Sequence, residues 1–410
     1  MSGSQAVVVD ADSHLQQPLQ WLAKKFPEMG MAVREPTSFS PVKYFVPEEY
    51  WPEDESRMYT APWLRFLESQ RQAFADGVDL DDMVADPDVD LGALDRLFRG
   101  RGGWDTDERV AVNDELGIDV QLVSGISLRM GSGEEWRHLT ALGNTVTLEQ
   151  VGRHHDRIVP IVDIDLTDLD WAVAELTRCR GLGSRVFNIP VEPVNGKSLS
   201  HPDNDRLWAA ASDLGMLGYL HSFNDPLDAG WANNGGDYLQ LSMLSSVRYH
   251  HQAELLLTVL CAGGVFDRFP NFGVVMAEIG GLAWIPNALQ WMDAHVTDPS
   301  LREMQAIEPW TYDLLPSEYA RRQLRVAPLP NESQSPLPWL DQLGDIAVFS
   351  TDYPHPEGTP DPKIQAPDAA TSFFRAEMAG IDQARRDRFF GESLAELFAR
   401  SGDPLTVSSR

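Results

Sequence analysis

Cysteine is scarce in this chain, and so is positive charge. Only two cysteines occur in 410 residues, Cys179 and Cys261, far apart and outside any thiolate metal spacing, which argues against a disulfide framework or a sulfur-built zinc site. Packing is the role expected of both. Lys and Arg number 33 against 62 Asp and Glu, a formal net charge of −29 that repels phosphate backbones and anionic lipid headgroups. Nucleic acid and membrane are therefore not expected as partners. No apolar run reaches the roughly eighteen residues that a membrane helix needs, and the first residues lack the basic-then-apolar order of a signal peptide. The expectation is a soluble, cytoplasmic protein. Internal repeats, linkers and low-complexity tracts are also missing, so a single domain over 1–410 is expected. What is present is an ordinary globular mixture, 43% hydrophobic and 23% charged, with enough apolar side chains for a full core.

Two distant stretches carry the chemistry. Near the start, Val7 to Val9 read as a buried strand, followed by Asp12 and His14, two apart and so on one face of an extended chain. Near the end, 346–350 reads as another buried strand that delivers Asp352 just past its carboxyl end, with His355 in the same loop. Alone, each stretch reads as turn chemistry. Together they make a metal site if the first and last strands of a closed barrel are neighbours.

The chain between them supports a barrel. Residues 15–107 lack strand alternation and are rich in Pro, Asp and aromatics, the composition of an insertion that covers a site or builds a subunit contact. Helical spacing is expected there over 61–77 and 91–98, with an acidic loop over 79–90, and Trp51, Trp63 and Trp104 are expected to fill its core. From 108 onward apolar strands alternate with helices of crossover length: strands over 119–123, 158–164, 185–189, 216–220, 272–276 and, most weakly patterned, 324–329; helices over 109–116, 139–154, 169–178, 204–214, 252–262 and 284–294. With 345–349 as the eighth strand and helices over 368–378 and 385–400, eight units are complete. This pattern belongs to a parallel sheet covered on both faces, in a TIM-type (β/α)8 barrel or a doubly wound sheet.

In such a barrel the active groups sit at the carboxyl ends of strands. Asp12, His14, His221, Glu278 and Asp352 all occupy such positions. A mixed nitrogen and oxygen set suits Zn, Mn or Fe better than Ca, and leaves a coordination position for water or substrate.

The strings VDADSHLQQP, GYLHSFN, GVFDRFPNFGVVMAEIGG, LPSEYARRQ and FSTDYPHPEG, in this order, resemble the amidohydrolase superfamily, in its amidohydrolase-2 branch of aromatic acid and aminocarboxymuconate semialdehyde decarboxylases. The resemblance runs from Val7 to about Ala399, apart from most of the insertion. It implies a distorted (β/α)8 barrel with one divalent ion, zinc or manganese, held by Asp12, His14, His221 and Asp352. Two positions depart from it. The semialdehyde decarboxylases carry His before Gly-Gly in the sixth-strand loop, where this chain has Glu278; an ionised carboxylate there repels a bound carboxylate unless a metal or proton intervenes. Several aromatic acid decarboxylases have Glu where this chain has the shorter Asp12.

Other candidates read more simply. His250 and His251 are expected to open a helix as solvated or capping residues, and His154 and His155 to interact with a helix end. Arg185, Asn188 and Lys197 surround the fourth-strand rim, where a salt bridge or solvated position accounts for each and anion binding is the alternative. Gly181 and Gly183 do not complete a dinucleotide fingerprint, and Gly125-Ile126-Ser127 lacks the second glycine of a serine elbow. Three functions remain open: a metal-dependent lyase decarboxylating an aromatic or unsaturated acid with Asp352 handling the proton, a metal-dependent hydrolase of a C–N or C–O bond using metal-bound water, and a metal-bound scaffold without turnover. The resemblance favours the lyase, with Asp352, Glu278 and His355 as catalytic groups and a small organic acid as substrate, while the size of the 15–107 insertion beside the rim leads to the expectation of a homo-oligomer.

Overall fold

The computed structural model describes residues 6–15, 100–125, 133–221, 238–305, 309–355 and 368–406. Most of the expected insertion, including both of its helices, its acidic loop, Trp51 and Trp63, lies outside them, as do Ser127 and the loop after His221.

Seven parallel strands form one sheet in sequence order: β1 (Val9–Asp10), β2 (Val120–Ser124), β3 (Ile158–Val162), β4 (Val186–Asn188), β5 (Leu217–His221), β6 (Val274–Ala277) and β7 (Leu324–Ala327). They are short and apolar on both sides because each is covered twice. One set of alternate residues, among them Val9, Ala11, Leu122, Ile161, Val186, Tyr219, Val275, Ala327 and Val348, packs into an interior cluster. The other set, among them Val162, Phe187, Leu220, Met276 and Val326, packs outward against helices. A sheet with an inside and an outside of this kind is consistent with a TIM-like barrel.

The outer layer is made by α1 (Thr106–Leu116), α2 (Glu134–Val151), α3 (Leu169–Gly181), α4 (Asp205–Asp213), α5 (Tyr238–Ala262), α6 (Ile285–Thr297), α7 (Pro316–Gln323), α8 (Asp368–Glu377) and α9 (Ser393–Arg400). Local sequence sets their ends. Asp105 caps α1 by accepting from the Glu108 amide, and Gly117, at φ 72°, ends it in the left-handed conformation. Gly125 is a packing glycine: a Cβ there would meet the Thr147 hydroxyl of α2 at 2.1 Å.

The eighth strand is the point of difference. Residues 344–346 form a 3-10 turn, and 347–353 make isolated bridges in place of a ladder. The stretch nevertheless touches both edges of the sheet. Val348 N donates to Val326 O at 3.0 Å on the β7 side, while Ala11 N donates to Phe349 O at 3.0 Å and His14 N to Tyr353 O at 2.7 Å beyond β1. The 3-10 turn takes up the start of the expected strand, and beyond its end Asp352 adopts φ 52°, outside the extended region. α5 is also longer than expected, so His250 and His251 lie within it and do not open it.

At the amino-terminal side of the strands α9 closes the interior. Leu394, Leu397 and Phe398 join the interior cluster. Gly273, just before β6, leaves room for Leu397, whose Cδ1 would lie 2.5 Å from an added Cβ, and the Arg185 guanidinium covers the Phe398 ring at 5.0 Å. The opposite, carboxyl-terminal side is where the polar residues gather.

Candidate metal centre

Asp12 and His14 follow β1, His221 ends β5, Glu278 follows β6, and Asp352 and His355 lie in the stretch between β7 and β1. The fold brings all six together. Three overlapping groups have ligand atoms within 4.8 Å of one another: Asp12, His14 and His221; His14, Asp352 and His355; and Asp12, Glu278 and Asp352. His14 Nε2 is 3.1 Å from Asp352 Oδ1 and 3.7 Å from Asp12 Oδ1. His221 Nε2 lies 3.8 Å from Asp12 Oδ1 and 3.5 Å from Glu278 Oε2, and His355 Nδ1 is 3.3 Å from Asp352 Oδ1. The His14 and His355 rings stack at 3.8 Å, and His221 meets His14 edge-on at 5.0 Å.

Three carboxyl groups this close and this buried oppose each other's charge. Burial, and then the charges of Asp352 and Glu278, push the Asp12 carboxyl well above its usual range, against the lowering effect of the Tyr219 hydrogen bond. Burial, reinforced by His355 and His221, pushes His14 well below its usual value and keeps it the neutral imidazole that a metal takes. Asp12 Oδ2, His14 Nε2 and both carboxylate oxygens of Asp352 are buried without a hydrogen-bond partner. Buried polar atoms are otherwise paired almost without exception. A divalent cation at this point would satisfy them and neutralise the carboxylates, and the nitrogen and oxygen donors fit one.

Backbone geometry serves the same end. Glu278 and Asp352 both sit in the left-handed region, at φ 54° and 52°. Such non-glycine conformations cost on the order of 1–3 kcal/mol and persist where surrounding structure over-determines them.

A second layer of residues holds the first. Asp10 Oδ1 accepts from the Asp12 amide at 3.1 Å and from the Thr351 amide at 2.9 Å; Oδ2 accepts from the Thr351 hydroxyl at 2.5 Å and from Gln121 Nε2 at 2.7 Å. Gln121 Oε1 accepts from Arg109 Nη1, and Arg109 Nη2 donates to the His14 carbonyl at 2.7 Å while its guanidinium covers the Tyr353 ring at 4.7 Å. Burial brings Arg109 down to about 10, so it stays charged at neutral pH. From across the interior, the Tyr219 hydroxyl donates to Asp12 Oδ1 at 2.7 Å. None of these residues stood out in the sequence. Tyr219 alone carried a usable signal, being two before His221 on the same strand face.

The secondary candidates resolve individually. His154 Nε2 lies 2.5 Å from Asp107 Oδ1, a contact between the end of α2 and the start of α1. Arg185 binds Asp403 at 2.7 Å, Lys197 pairs with Asp203, and Cys179 and Cys261 are buried and free. Asn188 is neither solvated nor salt-bridged; it is 7% exposed.

An α/β sheet curled around an apolar interior, with a buried His and carboxylate cluster that could hold a metal at its carboxyl-terminal mouth, is consistent with a TIM-like fold. The family model described as amidohydrolase (Amidohydro_2) matches residues 59–325, and the chain belongs to this family. A curated relative, 2-amino-3-carboxymuconate-6-semialdehyde decarboxylase of Dictyostelium discoideum, is 25% identical over 183 residues, 43% of this chain and 48% of its own length. The match therefore spans about half of that relative. Among solved structures, IDCase of Metarhizium anisopliae in apo form superposes with a TM-score of 0.63 at 17% identity, covering 98% of this chain and 99% of its own. A dihydroxybenzoic acid decarboxylase of Polaromonas sp. JS666, with bound manganese and the inhibitor 2-nitroresorcinol, gives 0.54 at 17% identity, covering 96% and 97%. No helix among the described residues is long and apolar enough to cross a membrane.

Proposed function

We propose that this chain is a metal-dependent carboxy-lyase that removes carbon dioxide from an aromatic or unsaturated carboxylic acid. The observation that carries this reading is the convergence of Asp12, His14, Glu278 and Asp352 on one buried point, where the atoms of Asp12, His14 and Asp352 lack other partners. The decarboxylase names of two of the similar proteins support the reaction type.

Asp12, His14, His221 and Asp352 would hold one ion, zinc or manganese; manganese is the metal named with the Polaromonas neighbour. When bound, the ion supplies positive charge that binds and stabilises the substrate carboxylate or a neighbouring oxygen. Asp352 handles the proton. Asp352 takes up the acid proton of the substrate, and as the bond to the carboxylate carbon breaks and carbon dioxide leaves, the electron pair left on the substrate carbon takes that proton back from Asp352. His355, 3.3 Å from Asp352, orients that group, and Glu278 faces the same space beside His221 as a second proton carrier.

The reading includes a distorted (β/α)8 barrel as a single domain over 1–410, with residues 15–107 inserted as a lid or subunit contact. Both described ends of that insertion are at the mouth: Leu15 N donates to Ser124 O at the end of β2, and the Tyr353 hydroxyl donates to Arg101 O at 2.7 Å. It also includes a cytoplasmic location and a homo-oligomer, the latter in keeping with Met243, Val247 and Leu255, which recur along one exposed side of α5. The test is release of carbon dioxide from a panel of aromatic and unsaturated acids by the manganese- or zinc-loaded protein. No carbon dioxide from any acid would overturn the proposal, and amide or ester cleavage in its place would mark a hydrolase.

A further inference from the structure

β3 and β4 each lead into a polar side chain on the interior face. Ile161 is interior and Val162 outer, which places Asp163 inside; Val186 is interior and Phe187 outer, which places Asn188 inside. Asn188 is paired in register with Tyr219, whose hydroxyl holds Asp12, so it belongs to the wall that faces the metal centre. Both polar residues are more than nine-tenths buried, at 5% and 7% exposure.

A chain of one-way hydrogen bonds fixes the Asn188 amide. The Asn144 amide nitrogen donates to Glu175 Oε1 at 2.7 Å and to the Asp163 carbonyl at 2.9 Å, which leaves Asn144 Oδ1 to accept from the Asp163 amide at 2.8 Å. Asp163 Oδ1 in turn accepts from Asn188 Nδ2 at 2.6 Å. With its amide nitrogen given to Asp163, the carbonyl oxygen of Asn188 faces elsewhere. That oxygen, Asn188 Oδ1, is buried and has no hydrogen-bond partner. It presents negative partial charge, which excludes the anion-binding role. A buried acceptor left unpaired is costly, and its natural complement is an O–H or N–H donor.

We infer that Asn188 is a specificity residue: its Oδ1 accepts a hydrogen bond from a hydroxyl or amino group on the substrate, and Asp163 holds the amide in that sense. The inference rests on the carboxylic-acid reading above and adds to it a required donor group and the atom that reads it.

The test uses the metal-loaded full chain and three ligand pairs, 2-, 3- and 4-hydroxybenzoate with the matching methoxybenzoates. Binding is read by tryptophan fluorescence after rapid mixing, before turnover. At one ring position the hydroxy acid is expected to bind about tenfold or more tightly than its methyl ether. Asn188→Leu is expected to bring that ratio to within about threefold, because the unpaired acceptor is gone while the steric demand of the methyl group is unchanged. Asp163→Asn is expected to lower the ratio too, by letting the Asn188 amide turn over, and it decides the matter if Asn188→Leu does not fold. A ratio unchanged in folded variants overturns the inference, as does a wild-type protein with no preference at any position or no affinity for any hydroxybenzoate. Because binding is read separately from carbon dioxide release, a failed decarboxylation assay beside an Asn188-dependent ratio would reject the lyase and retain the donor site.

Discussion

Thr351 is fastened to Asp10 across 341 residues of chain, by its backbone amide at 2.9 Å and its hydroxyl at 2.5 Å. The same Asp10 carboxyl group accepts from the Asp12 amide. One buried side chain therefore sets the spacing between the two stretches that supply Asp12 and Asp352. Asp10→Asn puts an amide NH2 among donors and breaks that clasp. The expected result is a ten- to hundredfold loss of manganese affinity, the usual scale for groups that orient metal ligands. Titration calorimetry of the metal-free variant checks it, and Tyr219→Phe, which removes the donor to Asp12 from the other side, should weaken binding in the same direction.

Asp352→Asn keeps the shape of the side chain and removes its ability to give up a proton. Carbon dioxide release should fall by about 10² to 10⁴, while the melting temperature of the metal-loaded protein moves by only a few degrees. Retention of more than a tenth of wild-type turnover would remove Asp352 from the proton-handling role.

Metal binding should release protons. The sign follows from Asp12, whose carboxyl is raised by burial and by Asp352 and Glu278 and so tends to hold a proton that the ion must displace; His14, lowered, has none to give. Apparent affinity should therefore climb as pH rises above the ordinary carboxylate range. Calorimetry in two buffers of different ionisation heat measures the proton count, and a binding enthalpy that ignored the buffer would contradict this picture. Loading at about a hundred times Kd should also stabilise the fold by about 2.7 kcal/mol, visible as a higher melting temperature than after chelation.

Glu175 offers a pH test remote from the metal. Burial raises its pKa, but hydrogen bonds from Arg178 and Asn144 outweigh it and hold the carboxyl below the usual value. Its contribution to stability is thus present above the unfolded pKa and lost as pH falls through the folded one. Glu175→Gln should be less stable than wild type by about 1 kcal/mol near pH 7, and the two melting curves should converge below about pH 4. A gap that widened on acidification would reverse the assignment.

Much of this was legible in the sequence because it depends on local pattern. Continuous apolar runs such as those around Val123, Val159 and Val275 mark doubly covered strands, and all seven ladder strands fall where the alternation places them. The convergence of the candidate site residues was legible too, since a His or Asp just past a strand end has only one rim to face. What escaped was long-range. Asp10 looks like one more aspartate in an acidic chain, and Arg109 like an exposed helix residue, until folding places each against partners from remote segments. Asn188 gave the same kind of misleading impression, because its meaning depends on Asn144 fixing the position of Asp163. The eighth strand was expected over 345–349 from its apolarity, which does not reveal that 344–346 turn as a 3-10 helix and that the rest pairs only through isolated bridges.

The seal at the base of the interior has a consequence for traffic. With Leu394, Leu397 and Phe398 seated beneath the strands and Arg185 closing over Phe398, the described residues leave no passage through the base of the interior. For the proposed enzyme, a ligand of Asp12 and Asp352 would then come and go on the carboxyl-terminal side of the strands, where arrival of one acid and departure of the last product would compete.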